Sequence, residues 1–459
     1  MFVGRERELG IFEQCYQSEK FECLVLYGRR RVGKTALIRE FVQNRKCIFF
    51  TGIESTSDEN LNMLSQSIWL CDHETGEWPV FPSFDAAFKA IADMCSNQKI
   101  VVVLDEYPYL AKSYPAVSSI LQKMIDLYYQ SQGNLMLVLC GSSMSFMEHQ
   151  VMGYQSPLYG RRTVQIKLGP FCFFETPAFY TKLSPETMAV VYGVTGGIPK
   201  YIQCFDENKT IRENLCDQFF CSSGYLYEEP SNLLKQELRE PGIYHAMIRA
   251  IASGHSKMSE LANALGMTSS SLSPYLAKLQ ELGIVQKKYP VPATGARKNI
   301  YEVSDMMFKF WHLVVPGQNN LIQRGFSDRA YTNILPTLET YMGKVFEQIC
   351  IDYMWKEYDK LPVQFTEIGA WWGSNRTKKQ TEEIDIVATD GRSAIFCECK
   401  WRNRTITEET LQTLIERSML VDMAHRYYIV FAKSQFSQEC QKAAKRLGIR
   451  LICFLEMFG

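Results

Sequence analysis

Charge of one sign is missing from this sequence: 50 Lys and Arg stand against 50 Asp and Glu. Any nucleic-acid surface must then be a local patch and not a property of the whole molecule. Long hydrophobic runs are missing too. The strongest apolar stretches, Ile100 to Leu104 and Leu135 to Cys140, fall far short of the roughly 18 residues that a membrane span requires, so no membrane role is expected. The start, Met1 to Glu6, lacks the apolar core of a secretory signal. Cysteine is not scarce, but the 15 residues are odd in number and lack metal-ligand spacing, which points to a reduced, cytoplasmic chain. Internal repeats and low-complexity tracts are also absent, and an ordinary globular composition excludes a disordered or fibrous chain.

What is present is enough length for about three domains at roughly 150 residues each. The first third alternates β-rich runs with amphipathic helical stretches, the pattern of a parallel sheet with helices on both faces. Candidate strands are Cys23 to Tyr27, Cys47 to Phe50, Ile100 to Leu104, Leu135 to Cys140 and Val164 to Ile166. Thr176 to Glu240 reads as a helical lid with a turn at Gly196 to Pro199. Ile243 to Ser304 reads as three helices and two short strands, a winged helix. Met306 to Leu335 is a helical connector interrupted by Pro316-Gly317, and mixed α/β structure returns from Pro336. The expected boundaries are 1–175, 176–242, 243–305, 306–335 and 336–459.

The clearest chemistry lies in Gly28-Arg29-Arg30-Arg31-Val32-Gly33-Lys34-Thr35, which matches the phosphate-loop pattern at every fixed position between an apolar strand and the helical run Ala36 to Val42. The glycines let backbone N–H groups curl around phosphates, Lys34 reaches the β- and γ-phosphates, and the Thr35 hydroxyl ligates Mg²⁺. ATP and Mg are therefore the expected cofactors. The strand Val101 to Leu104 ends in Asp105-Glu106, a carboxylate for the metal shell followed by one that orients the attacking water. Leu135 to Cys140 runs into Gly141-Ser142-Ser143, where Ser143 is a candidate γ-phosphate sensor and a simple turn is the rival reading.

In the winged helix, Lys257 to Gly266 reads as a short helix closed by glycine. Thr268 to Leu282 reads as a recognition-type helix that buries Leu272, Leu276 and Leu279. The wing, Gln286 to Tyr301, holds Lys287, Lys288, Arg297 and Lys298 and no acidic residue, so four uncompensated cations are expected to meet DNA phosphates. Towards the C-terminus, Glu382 to Val387 and Ser393 to Lys400 read as paired strands around Asp390-Gly391. Glu398 and Lys400 share one face there, and Asp385 converges on them. Two carboxylates with one lysine suit Mg²⁺-dependent phosphodiester cleavage, with Asp385 and Glu398 on the metal and Lys400 positioning the attacking water. Cys397 and Cys399 read as strand packing, and Trp371 and Trp372 as core or interface packing, with stacking on bases as the alternative.

Val3-Gly4-Arg5-Glu6 with Glu8-Leu9, the phosphate loop, Asp105-Glu106, Ser156 to Arg162 and Gly196 to Pro199 together resemble the archaeal-type ATPases, an AAA-related, STAND-like branch of the P-loop NTPases. The resemblance implies that Gly4 and Arg5 lie near the adenine and that the turn at Pro199 closes over the nucleotide. It also makes Arg161 or Arg162 a γ-phosphate-sensing arginine, against the competing role of a structural ion pair. Asp385, Glu398 and Lys400 resemble the PD-(D/E)XK nucleases, which adds an upstream helical acid, Glu347, and a downstream glutamine, Gln412; Glu416 stands where a tyrosine is expected. Phe310-Trp311-His312 with Gly343 to Glu347 is similar to the fusion of such domains to archaeal-type ATPases.

The fold these resemblances imply is an α/β P-loop NTPase with a helical lid, followed by a winged helix and a C-terminal α/β restriction-endonuclease-like domain. The function implied is ATP hydrolysis coupled to DNA binding, through the wing and the C-terminal domain, and to Mg-dependent DNA cleavage, with homo-oligomers left open. The alternative is a STAND-like signalling switch with a catalytically inactive C-terminal interaction domain.

Overall fold

The computed structural model describes residues 2–96, 98–131, 133–293, 299–375 and 378–458. The chain divides into two compact units, the first made of Met1–Pro170 and Ile198–Lys200, the second of Phe171–Gly197 and Tyr201–Gly459. Among the described residues no helix is long and apolar enough to cross a membrane.

In the first unit β1 (Glu22–Tyr27), β2 (Cys47–Thr51), β3 (Ile100–Asp105), β4 (Leu135–Gly141) and β5 (Val164–Lys167) form a parallel sheet in the order β2-β3-β4-β1-β5. These are the five apolar runs legible in the sequence. Alternation along each strand explains why they are apolar throughout. Cys23, Val25 and Tyr27 enter one core with the helices Ser57–Trp69, Phe84–Met94 and Val117–Leu127. Leu24 and Leu26 enter the other, with Glu6–Gln17 and Lys34–Val42. A sheet covered on both faces needs an apolar residue at nearly every position, so its polar chemistry collects at the strand ends. Because the strands are parallel, the ends of β1, β3 and β4 open on one edge, where open α/β sheets bind their ligands.

The second unit opens with the helices Pro185–Thr195, Ile211–Phe219 and Tyr225–Glu237. Three more, Pro241–Ala252, Met258–Leu265 and Ser269–Glu281, lead into the antiparallel hairpin of β6 (Val285–Lys288) and β7 (Ile300–Val303), completing a winged helix. Gly266 (φ 63°) ends the middle helix in the left-handed conformation that glycine adopts at little cost, and Thr268 caps the next by accepting the Ser271 N–H. Arg297 and Lys298, two of the four expected wing cations, lie outside the described residues.

The boundaries expected after residues 175, 242 and 335 fall inside helices, Phe173–Phe179, Pro241–Ala252 and Ser327–Lys356. The helix Ser327–Lys356 runs unbroken across Pro336, where the connector was expected to end. Pro336 is exposed, and so is Thr332, whose carbonyl is the one a proline N–H cannot bond; water can satisfy it. The C-terminal sheet follows, with β8 (Glu367–Asn375), β9 (Gln380–Thr389), β10 (Ser393–Lys400), β11 (His425–Ala432) and β12 (Ile449–Cys453) in the order β12-β11-β10-β9-β8. β8, β9 and β10 are antiparallel, whereas β10, β11 and β12 are parallel. Ala394 and Phe396 of β10 join Trp371 in a core beneath the helices Glu408–Ser418 and Gln438–Leu447, while the Cys397 Sγ lies 3.7 Å from the Met354 Sδ of the long helix.

Candidate functional site

β1 feeds the loop 28–35 and the helix Lys34–Val42 leaves it, which sets the positive end of a helix at the loop. A Cβ on Gly28 would stand 2.3 Å from the Leu168 carbonyl oxygen, so no side chain fits there. Arg31 (φ 72°) and Gly33 (φ 96°) take left-handed backbone, the geometry that turns successive N–H groups inward as an anion nest. Buried Lys34 donates through Nζ to the carbonyls of Gly28 at 2.9 Å and Arg29 at 3.0 Å, which places its ammonium within the loop. Burial lowers its pKa from the ordinary lysine value, and the charges of Glu106 and Asp105 oppose that shift.

The Thr35 hydroxyl donates to Asp105 Oδ2 at 2.9 Å, so the two groups expected at Mg²⁺ stand side by side although 70 residues apart in sequence. Hard oxygen donors of this kind suit that cation. Asp105 Oδ1 accepts the Glu106 N–H at 3.0 Å. Glu106 has left-handed backbone (φ 47°, ψ 42°), which costs a non-glycine residue on the order of 1 kcal/mol. Its Oε2 accepts from the Ser142 hydroxyl at 2.9 Å and from the Ser142 N–H at 3.4 Å, which fixes the carboxylate. Ser142 therefore carries the contact with Glu106 at the end of β4, one residue before Ser143, the candidate phosphate sensor. The signal for it is the pairing of β3 with β4, which places the two strand ends together.

Gly4 and Arg5 also take left-handed backbone (φ 64° and 69°), and the buried Arg5 guanidinium donates to the carbonyls of Val32 at 3.3 Å and Gly169 at 2.6 Å. It braces the loop. Pro199 Cγ would lie 3.8 Å from a Cβ on Gly33, so that turn does reach the loop. The basic pair goes elsewhere. Arg161 clasps Asp126 with two bonds, Nε to Oδ1 at 2.8 Å and NH2 to Oδ2 at 2.7 Å, and Arg162 donates to the Met152 carbonyl at 3.4 Å. A forked guanidinium–carboxylate pair is a strong geometric commitment, the kind of contact expected of Arg161 in its structural role.

In the second unit β9 and β10 pair Ile386 with Cys397, and Asp385 and Glu398 are the next residues along the two strands. Asp385 Oδ2 accepts the Cys399 N–H at 2.8 Å. Glu398 is buried; its Oε1 pairs with Lys400, while its Oε2 is buried without a hydrogen-bond partner, with Arg417 NH1 3.6 Å away. Arg417 Nε bonds Glu382 at 3.1 Å. Glu347, on the long helix, pairs with Lys344 at 3.0 Å, and Lys344 reaches Glu383 at 3.1 Å. Burial first, and then the charge of Glu398, pushes Asp385 above the usual carboxylate range. Burial and then the charge of Asp385 push Glu347 up to about 7. Asp385, Glu398, Lys400 and Glu347 are thus neighbours. Spacing did not reveal Lys344 or Arg417, and it is Arg417, not the exposed Gln412 of the same helix, that approaches Glu398. Among the described residues no group of three or more His, Cys, Asp or Glu side chains is arranged to hold a metal ion.

The wing cations are not all unopposed. Lys288 pairs with Glu302 at 3.3 Å, and Lys309 meets the same carboxylate at 3.5 Å. Glu302 lies one residue past the interval read as the wing, and the hairpin register sets it opposite Gln286, diagonal to Lys288. Lys287 is exposed, with Nζ 5.8 Å from the centre of the Tyr301 ring.

Residues 2–205 match a family described as an ATPase domain predominantly from Archaea; residues 246–287 match the arsR family of bacterial regulatory proteins; residues 311–412 match a family of archaeal and bacterial proteins of unknown function. An uncharacterized protein of Methanocaldococcus jannaschii is 29% identical over 449 residues, 96% of this chain and 97% of its own length. An uncharacterized ATP-binding protein of the same organism is 50% identical over 46 residues, 10% of this chain and 78% of its own. A Walker-type ATPase of Pyrococcus abyssi, 19% identical, shares the fold with a TM-score of 0.52 over 68% of this chain and 96% of that one. The loop 28–35 and Asp105-Glu106 fall inside the first of these matches, so residues 2–205 are similar to archaeal P-loop ATPase domains and the chain is an ATP-hydrolysing enzyme.

Proposed function

We propose that ATP turnover in the first unit governs how the second unit engages DNA, and that Asp385, Glu398 and Lys400 there cleave phosphodiester bonds with Mg²⁺. The observation that carries the hydrolytic half is the Glu106–Ser142 contact beside the Thr35–Asp105 pair. Thr35 and Asp105 would hold Mg²⁺, which when bound offsets the charge of the β- and γ-phosphates. Lys34 and the loop N–H groups bind and orient those phosphates. Glu106 accepts a hydrogen bond from the attacking water at a carboxylate that Ser142 keeps in place, and Pro199 helps exclude other water.

At the second site the buried, unbonded Glu398 Oε2 supports a cation, because such an acceptor is costly unless something meets it. Asp385 and Glu398 would hold Mg²⁺, which when bound supplies Lewis-acid polarisation of the scissile phosphate. Lys400 positions the attacking water and offsets phosphate charge. Glu347, holding a proton part of the time near neutrality, can donate a hydrogen bond that orients Asp385. The match to a family of bacterial regulatory proteins supports DNA contact by the winged helix.

The test is cleavage of linear, nicked and branched DNA with Mg²⁺, with and without ATP, by wild type and Lys400→Ala, alongside calorimetric titration of Mn²⁺. Wild type should cleave; Lys400→Ala should lose cleavage and keep metal. Failure of wild type both to cleave and to bind metal would overturn the nuclease half. It would favour a signalling ATPase whose C-terminal sheet only binds a partner. That second reading has its own support: Lys400 and Arg417 already countercharge Glu398, and no three-ligand cluster is present among the described residues.

A further inference from the structure

A cavity of about 450 Å³ is lined by Lys287, Lys288 and Tyr289 of the wing hairpin and by Asp385 and Glu347 of the acid site. Lys309 and Lys344 also line it, so four lysines face three carboxylates, the third being Glu302. The wing is fastened over this space. The Val291 N–H donates to the Ala370 carbonyl of β8 at 3.0 Å, and Val291 Cγ2 would lie 3.1 Å from a Cβ on Gly369. Among the described residues, Lys287 is the one lining lysine outside an ion pair, since Lys288 and Lys309 share Glu302 and Lys344 holds Glu347. Tyr289, beside it, keeps 45% of its surface exposed at the rim of the cavity.

We propose that this cavity receives one unpaired nucleotide of a DNA strand end, its base stacked on Tyr289 and its phosphate held by Lys287, within reach of Asp385. The volume lies in the range of pockets that enclose small ligands, and a base still paired in a duplex cannot enter such a space. An exposed aromatic ring beside a free cation is the pairing by which proteins hold single strands, the ring for the base and the cation for the backbone. The wing cations then serve the acid site and are not spread along a duplex. This deepens the proposed nuclease reading and rests on it for the direction of the strand, but the binding itself requires no cleavage.

The test uses the full-length chain in EDTA, where strand cutting cannot confuse the readout, and follows fluorescence anisotropy of a short labelled oligothymidylate and of a blunt hairpin duplex. Tyr289→Ala should weaken oligothymidylate binding roughly tenfold, with Tyr289→Phe restoring it. Lys287→Ala should flatten the slope of log affinity against log salt by about 0.7, as one lost single-strand phosphate contact does. Both residues are exposed, so the variants should fold, and circular dichroism checks that they do. Equal loss of hairpin binding in these variants, or no loss of oligothymidylate binding, overturns the proposal. Competition by free dTMP as strong as that by the oligonucleotide also overturns it, in favour of a free-nucleotide pocket. Strand binding that persists in a protein unable to cleave with Mg²⁺ supports this site while sinking the nuclease reading, so the two failures remain separate.

Discussion

Asp105 and Glu106 are held by hydroxyl and N–H groups, from Thr35, Ser142 and the Glu106 backbone, whereas Glu398 is held by the charges of Lys400 and Arg417. Neutral donors fixed by the backbone do not have to leave when a ligand arrives. They resemble the preoriented dipoles that stabilise charge without reorganising. Ion pairs behave differently: Lys400 must turn away from Glu398 Oε1 before that oxygen can take a cation. The first acid pair is therefore set in advance, whereas a ligand at Glu398 Oε1 has to displace a countercharge.

The sharpest way to break this comparison is Glu106→Gln. It keeps the shape and a hydrogen bond to Ser142 but removes the charge that orients the water, so ATP turnover should fall roughly 10²- to 10⁴-fold, with nucleotide affinity retained by calorimetry. A fall in affinity as large as the fall in rate would show that Glu106 serves binding. Arg417→Ala is the counterpart at the second site. It strips a countercharge from Glu382 and Glu398, both buried, and should cost about 2 kcal/mol in urea unfolding of the second unit while ATP turnover holds. Unchanged stability would mean that Lys400 alone suffices.

Ser142→Ala is smaller. It removes the hydroxyl and leaves the longer N–H contact, so turnover should drop about tenfold, the equivalent of one hydrogen bond of roughly 1.4 kcal/mol.

The smallest effect concerns a pair of histidines of which His312 is buried. His312 Nδ1 donates to the Phe308 carbonyl at 2.8 Å, so its Nε2 accepts from His245 Nδ1 at 3.0 Å, and burial lowers the His312 pKa to about 3. The unfolded chain binds that proton near pH 6.5 and the folded chain does not, so this stability is present above about 6.5 and is lost as pH falls towards 3. From pH 7 to 5.5 wild type should lose about 1 kcal/mol relative to His312→Gln. Taking the difference removes Glu347, whose raised pKa acts with the opposite sign. A pH-independent difference would refute the assignment.

Legibility followed sequence distance. The five strands of the first sheet could be read because each is a contiguous apolar run, and the phosphate loop because its eight residues adjoin in sequence. The contact of Ser142 with Glu106 could not be read without knowing that β4 lies beside β3. Arg161 found Asp126, 35 residues away, which no local pattern marks. Asp385, Glu398 and Lys400 were legible as an alternating pattern on two strands, but Arg417 arrives from a helix whose rotation about its axis depends on tertiary packing. The lysines of the wing were visible; Glu302 was missed because pairing across a hairpin depends on a register that composition does not encode.

The bond from Val291 to Ala370 has a consequence for how the molecule can be taken apart. β8 forms one border of the C-terminal sheet, and an uncovered border with free N–H and C=O groups recruits strands from other molecules. The wing blankets part of that border, next to Trp371. A fragment beginning after β7 would lose this cover and expose a sticky rim, so the C-terminal sheet expressed alone should aggregate, whereas a fragment that keeps the wing should stay monodisperse in light scattering.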